Sequence, residues 1–458
     1  MNRIASTSSA ALALALGLGV SRPAQATQPL ETFMAAARTH SFDARESAVT
    51  SEQRDAEADA ALGALLPSVT ARGSYTRNQY QVALTLPTDP PKTAYIQKYN
   101  QWDASAQLDV PIVNVSNYHR YKSQRLLSQM SQEQRAATAL DIDRNVTRAY
   151  FNFLGASALV HSAELSQKAT EDNLKVVSAR RDAGAATDMD RERASASVEG
   201  ARQEVANAKL NADLAARQLE TLSGLVPAAA EEFPADDLHA EAPIETWLNQ
   251  SGQSPLAKAA KTSQLAAEQA RKAAKSALYP TLAGSAQERI SNVGGFAGQS
   301  TVYTLQLVAQ IRLDYATIAN SRAQALAAEA SGIRSERTAR SLQDVTYEAY
   351  RRVETGIVKS RAARSQAASA ARASSLASER YAAGVATQLD VTQAQRDAFM
   401  ADANRIGADA DLASSRAQLR LSVGQAPTSS QATAPLTTAA APAPSPSPEQ
   451  PATPPRNP

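Results

Sequence analysis

Two segments of the chain alternate between apolar and polar side chains. In the first, Ala104, Ala106, Leu108, Val110 and Ile112 fall on one face, with Ser105, Gln107 and Asp109 on the other. In the second, Tyr303, Leu305, Leu307, Ala309, Ile311 and Leu313 oppose Thr304, Gln306, Gln310 and Arg312. A period of two predicts strands. Weaker, glycine-containing partner strands are predicted at 68–78 and 281–290. Elsewhere the period is helical. Residues 118–182 and 317–382 contain no proline. Each predicts one continuous helix of roughly 100 Å at 1.5 Å per residue. Residues 188–223 read as a shorter returning helix, with a seam through Val198, Ala201, Val205, Ala208, Ala212, Ala215, Leu219 and Leu222. A three–four alternation so rich in alanine suits close antiparallel coiled-coil packing. A further short helix is predicted at 255–277.

The pattern is written twice. Ala149 and Tyr150 match Ala349 and Tyr350, and at the same offset Arg180, Gly184, Thr187 and Asp190 match Arg380, Gly384, Thr387 and Asp390. Upstream the offset grows, pairing Ser41 with Ser254, Leu65 with Leu278 and Pro67 with Pro280. The first copy therefore carries extra residues between 67 and 114, and 86–91 reads as an exposed loop that tolerates such an insertion. The resulting map has a first repeat at 27–225 (strands about 68–113, long helix 118–182, turn 184–187, return helix 188–223). A proline-bearing linker follows at 226–254 and is expected to bulge outward. The second repeat covers 255–425 (helix 255–277, strands about 281–313, long helix 317–382, turn 384–387, return helix 388–423), and a Pro/Ala-rich tail at 426–458 is expected to be disordered. Four strands are too few to close a barrel, whose smallest common size is about eight. Strands of this kind in lipid would leave open edges, so a membrane-spanning reading requires several copies.

Composition sharpens this picture. Of 458 residues, 43% are apolar and only 5% aromatic, but 97 are alanine. The larger apolar residues are too few for several thick globular cores. They suit long helices packed backbone-close. There is no cysteine, which excludes disulfides, thiol nucleophiles, thiolate metal sites and an N-terminal lipid anchor. Four scattered histidines and no phosphate-binding or nucleophile signature argue against an enzyme, and no cofactor or metal is expected. Asp188, Met189 and Asp190 spell a metal-binding Asp-x-Asp, but without a nucleotide-binding α/β pattern around it. Residues 1–26 read as a secretory signal peptide, with Arg3, an apolar stretch at 10–20 and cleavage after Ala26. Removing Arg3 and Arg22 with it leaves 45 bases against 45 acids, a balance that argues against a nucleic-acid partner. The arginines of 351–372 are interleaved with Glu and Ala and read as a solvated or tunnel-lining face.

The run Arg380, Tyr381, Gly384, Thr387, Gln388, Leu389, Asp390, Ala394, with its partner Arg180, Arg181, Gly184, Thr187, Asp190, resembles the helix-turn-helix signature of the TolC family of outer-membrane efflux proteins. The duplication and the Leu66-Pro67 and Tyr279-Pro280 strand starts fit the same family. The resemblance implies a mainly α fold with transmembrane β, in which four strands from each of three subunits complete a twelve-stranded outer-membrane barrel. The helices would form a long periplasmic tunnel. It implies an exit duct in the outer membrane of a Gram-negative bacterium, in contact with outer membrane lipid. Its partners would be a periplasmic adaptor and an inner-membrane pump of the RND, ABC or MFS type. The turns at Gly184, Thr187, Gly384 and Thr387 would be adaptor contacts. By position Asp390 matches the family's acidic entrance ring, and Tyr381 with Asp190 a tyrosine–aspartate link between helix pairs. Gln393 stands where the best-known member has a second acidic ring, which predicts weaker cation block, and Ala386 stands where it has an arginine clamp. The alternative is a soluble periplasmic coiled-coil adaptor, although adaptors carry one helical hairpin and lack four amphipathic strands.

Overall fold

The computed structural model describes residues 28–228, 233–234, 236–295 and 298–427. The expected signal peptide with Ala26, and nearly all of the tail, lie outside the described residues. The first repeat opens with α1 (Leu30–His40) and α2 (Phe42–Gly63), separated at Ser41, whose hydroxyl caps the second helix by accepting from the Ala44 N–H at 3.2 Å. Then follow β1 (Ser68–Arg77), β2 (Val82–Leu86), β3 (Lys92–Gln97), β4 (Asn100–Val113), α3 (Val115–Asp182) and α4 (Asp188–Ser223). After α5 (Ile244–Ser251) the second repeat runs α6 (Pro255–Ser276), β5 (Thr281–Ser291), β6 (Thr301–Gln310), α7 (Tyr315–Ala382) and α8 (Gln388–Ser422).

The structure differs from expectation at three places. The extra residues of the first copy are not a plain loop: β2 and β3 pair as an antiparallel hairpin whose turn is 87–91. The long helices begin a few residues early, at Val115 and Tyr315, because Asn114 and Asp314 cap them by accepting from the N–H groups of Asn117 and Thr317 at 2.9 and 2.7 Å. The linker does not bulge freely. Trp247 of α5 is buried against Val353, Leu412 and Leu419, and Phe233 packs against Phe151 with ring centroids 6.4 Å apart.

The sheet order is β1-β4-β5-β6, antiparallel throughout. Its register aligns Val69 with Leu108, Leu108 with Ala286, and Ala286 with Leu305, so the apolar positions of all four strands share one face. The other face carries Thr70, Gln107, Gln287 and Gln306, with Asp103 bonded to Arg289. Neither outer strand, β1 nor β6, has a partner on its free edge among the described residues.

The helices form a single row that also ends open on both sides. On the half nearer the strands, α3 packs between α2 and α6, and α6 packs on α7. Ser123 donates to the Ala266 carbonyl at 2.9 Å across that seam. On the far half α3 packs between α4 and α8, and α8 on α7, with Ser162 donating to Asp402 at 2.6 Å. The densest core lies at mid-length, where Phe33 of α1, Val146, Phe153 and Leu154 of α3, Leu219 of α4 and Ile406 of α8 meet. Burying such side chains contributes roughly 1.5–3 kcal/mol each.

Candidate functional site: barrel wall and helix tips

The first functional feature is the apolar wall of the sheet. Val69, Trp102, Leu108, Tyr303, Leu305 and Leu307 are all exposed on it. Exposed aromatics cluster at both ends: Tyr75, Trp102 and Tyr303 at the end away from the helices, and Tyr118, Tyr279 and Tyr315 where strands pass into helices. Tilted as in membrane barrels, the ten residues of β6 rise about 23 Å, close to the ~25 Å height of an outer-membrane apolar band between aromatic girdles. No helix among the described residues is long and apolar enough to cross a membrane.

The second feature is the pair of helix-turn-helix tips. Both are built the same way. Arg180 and Arg380 offer their carbonyls to the N–H groups of Ala185 and Val385 at 2.8 and 2.9 Å. Gly184 and Gly384 take φ of 73° and 77°, the left-handed conformation that ends a helix in this motif. Thr187 and Thr387 then cap the returning helices, each in a reciprocal box with Asp190 or Asp390. The Asp190 carboxylate accepts from the Thr187 hydroxyl and N–H at 2.7 and 3.1 Å; Asp390 does the same with Thr387 at 2.7 and 2.8 Å.

These bonds hold both carboxyls below the usual carboxylate range. The Thr187 hydroxyl is the largest cause at Asp190, and the Thr387 N–H at Asp390. A depressed pKa means that the cap contributes above the ordinary carboxylate value and is lost as pH falls through the folded one. Amide protection at 188–191 and 388–391, corrected for intrinsic exchange, is therefore expected to fall below about pH 4. Asp390→Asn should remove that dependence at the second tip alone. Unchanged protection down to pH 2 would contradict the capping account.

Tyr381 is buried among Val177, Ala194 and Val391, between the two tips. Among the described residues its hydroxyl makes no bond to Asp190, whose Oδ2 is taken by Thr187. The residue joined to Tyr381 is instead Arg180. Its guanidinium lies 4.8 Å from the ring centroid and donates to the Tyr381 carbonyl, and at 3.5 Å to that of Ala382. It thus joins the end of α3 to the negative end of α7. Arg380, its mate in the repeat, makes no such contact among the described residues. Gln393 donates to Asp397 at 3.0 Å, and Ala386 packs beside the Tyr381 cluster.

A third feature escaped sequence reasoning: an ion network pins the linker to α8. Arg416 is almost fully buried and reaches Asp236 at 2.9 Å, Glu241 at 2.5 Å and the His239 carbonyl at 2.7 Å. Asp236, Asp237 and His239 lie close enough to suggest a metal site. The Arg416 guanidinium already engages two of the three, Asp236 at 2.9 Å and His239 Nε2 at 3.0 Å, so they form an arginine socket.

The sequence matches the outer membrane efflux protein family over residues 34–225 and 251–425. The chain belongs to that family. It is thereby an outer-membrane channel protein that extends into the periplasm, and not an enzyme. This outcome replaces the soluble adaptor reading. No curated protein matches the chain. Among solved structures, CusC superposes with a TM-score of 0.74 at 16% identity, over 86% of this chain and 92% of that one. The Campylobacter jejuni CmeC outer membrane channel gives 0.74 at 16% identity, over 87% and 86%. The open state of the Neisseria gonorrhoeae MtrE outer membrane channel gives 0.70 at 20% identity, over 86% and 89%. Likeness at these identities is likeness of fold.

Proposed function

We propose that the chain is the exit duct of a tripartite efflux pump or a type I secretion system. It works as a homotrimer that receives substrate from an inner-membrane transporter through a periplasmic adaptor. The observation that carries this reading is the pair of open edges. Because the four strands alternate in direction, β6 of one copy meets β1 of the next antiparallel, and the same step sets α7 beside the oppositely directed α2 and α4. Two copies would make an eight-stranded barrel, filled by its own side chains. Three make twelve strands and leave a bore.

The tips are the adaptor contacts and the entrance. Met189, Val385 and Leu389 are exposed apolar residues beside the turns, a surface suited to an apolar partner. Asp190 and Asp390 sit at matched places in the two repeats, so a trimer sets six carboxylates around its narrow end, each with Oδ1 free of hydrogen bonds among the described residues. Such a ring attracts cations. Arg180 and Tyr381 keep the two helix pairs of one chain together, and loosening them opens the entrance. Leu389→Ser is expected to weaken capture of the adaptor by about tenfold, with conductance in planar bilayers unchanged. Undiminished capture would move the adaptor contact away from the tips.

A further inference from the structure

The helices just beneath the sheet carry an excess of positive charge. The first two turns of α3 and α7 and the last two of α6 (115–122, 315–322 and 269–276) hold six Arg or Lys and no Asp or Glu. The fourth helix at this level, α2, brings Glu57 and Asp59 in its last two turns, and Glu57 is already paired with Arg54 at 2.7 Å. Bases and acids balance over residues 27–458 as a whole, so the excess is local. Three of the six bases, Lys122, Lys272 and Lys275, are exposed and form no ion pair among the described residues.

Their side of the helix row follows from the seams. α3 turns Ser123 to α6, and Asn117 to the end of α2, where it donates to the Ala64 carbonyl at 3.3 Å. α6 turns Ala266 and Ala273 to α3, and Gln264 to Gly332 of α7. With these seams fixed, right-handed winding places Lys122, Lys272 and Lys275 on one side of the row and Arg120 on the other. Lower down, the side that carries Lys122 presents Tyr150 to Phe33 of α1 and Phe151 to Phe233 of the linker. On the inner side α1 and the linker would fill the tunnel, so the three lysines face outward. α3 and α6 are inner helices of the row, and joining copies at α7 and α2 covers neither.

Height decides what they meet. Lys122 follows Tyr118 by four residues, and its Nζ lies 4.7 Å from that ring centroid. Lys275 precedes Tyr279 by the same four residues. Four helical residues span about 6 Å, and the interfacial layer on each side of a bilayer's hydrocarbon is ~5–8 Å thick. Side chains of α3, which runs away from the sheet, lean back toward it. Those of α6 lean the other way, but Lys275 stands only six residues before Thr281, whereas Lys122 is nine beyond Val113. Lysine stems carry their ammonium along apolar surface to the polar layer. The helical end of the molecule is the periplasmic one, so this is the phosphate layer of the periplasmic leaflet.

We propose that Lys122, Lys272 and Lys275 form a cationic collar that binds the phosphates of an acidic phospholipid, phosphatidylglycerol, in the periplasmic leaflet of the outer membrane. The proposal rests on the reading of the sheet as part of a membrane barrel. Three chains bring nine ammonium groups to one ring around the neck of the channel. A phospholipid of net negative charge is enriched there over a zwitterionic one, whose own ammonium competes with the lysines. Arg322 is not counted in the collar, because it stands on the edge helix α7, at the level of the acids that a neighbouring copy's α2 would bring.

The test is lipid retention by the full-length protein, purified as its oligomer, delipidated in detergent and read by native mass spectrometry. The probes are phosphatidylglycerol and phosphatidylethanolamine with the same acyl chains, supplied in equal amounts. The wild type is expected to retain phosphatidylglycerol over phosphatidylethanolamine by about fivefold or more, and added salt to weaken that preference. Lys122→Gln, Lys272→Gln and Lys275→Gln together should abolish the preference, with the oligomer and its conductance intact. Arg120→Gln, at the same height on the tunnel side, should keep it. Equal retention of the two lipids by the wild type, a preference that survives the triple change, or one lost in Arg120→Gln would overturn the proposal. So would binding to purified peptidoglycan that depends on the same lysines while no lipid preference exists, which would give the collar to the cell wall. A wild type that neither inserts into vesicles nor conducts would remove the barrel reading itself and the collar with it.

Discussion

Arg180→Ala is expected to raise the closed-state leak of the reconstituted channel about tenfold. The substitution removes a cation–π contact and charged hydrogen bonds to the end of α7, all from one side chain. Such contacts contribute about 1–3 kcal/mol when partly shielded from water. Arg180 is half-buried, so the lower part of that range applies, and it acts in every chain of the oligomer. Tyr381→Phe combined with Asp190→Ala keeps the ring beneath the guanidinium and removes half of one capping box. Its leak is therefore expected to rise less. A closed-state conductance left unchanged by Arg180→Ala, or exceeded by that of the double variant, would show that Arg180 does not hold the entrance.

Arg416→Ala is the other substitution with a large expected effect, and it acts on stability. Asp236 and Glu241 are both mostly buried, and the guanidinium is their shared countercharge. Removing one member of a buried ion network costs about 3–5 kcal/mol, because the remaining charges keep their desolvation penalty without a partner. Most of that falls on the docking of the linker onto α8. A loss of about 3 kcal/mol multiplies the undocked fraction more than a hundredfold, and proteolysis tracks that fraction when opening is fast. Limited proteolysis should then cut within 226–243 far faster than in the wild type, with α8 intact. Arg416→Lys should recover part of the protection, as a point charge reaches one carboxylate and not both. Cleavage at the wild-type rate would mean that Trp247 and Phe233 alone secure the linker.

What could be read from the sequence was whatever repeats locally. Alternation at 104–112 and 303–313 assigned the sides of the sheet, because a one-residue slip reverses every side chain. Gly184, Thr187, Gly384 and Thr387 defined both tips through backbone preferences needing no tertiary partner. The hairpin of β2 and β3 was harder to read: Val82 and Leu84 alternate for too few residues before Pro87, so the stretch resembled a loop. The arginine socket unites Arg416 with Asp236 and Glu241, about 175 residues apart, and no local pattern announces it. Arg180 and Arg380 occupy matched places in the repeat. Only packing shows that Arg180 finds Tyr381, whereas the position aligned with Tyr381 in the first repeat is Arg181, bonded to Asp188 at 2.8 Å.

Closure of the sheet edge to edge between identical copies, β6 to β1, can be trapped by disulfides. The chain has no cysteine, so introduced pairs report without background. One residue of β1 (Thr70, Arg72 or Ser74) is changed to Cys together with one of β6 (Thr304, Gln306 or Val308), and membranes are oxidised and run under denaturing conditions. Some of these pairs are expected to yield a covalent species of three chains, reversible by reductant, while single-cysteine controls stay monomeric at this edge. Monomer from every pair, in protein that is folded and in the outer membrane, would contradict it.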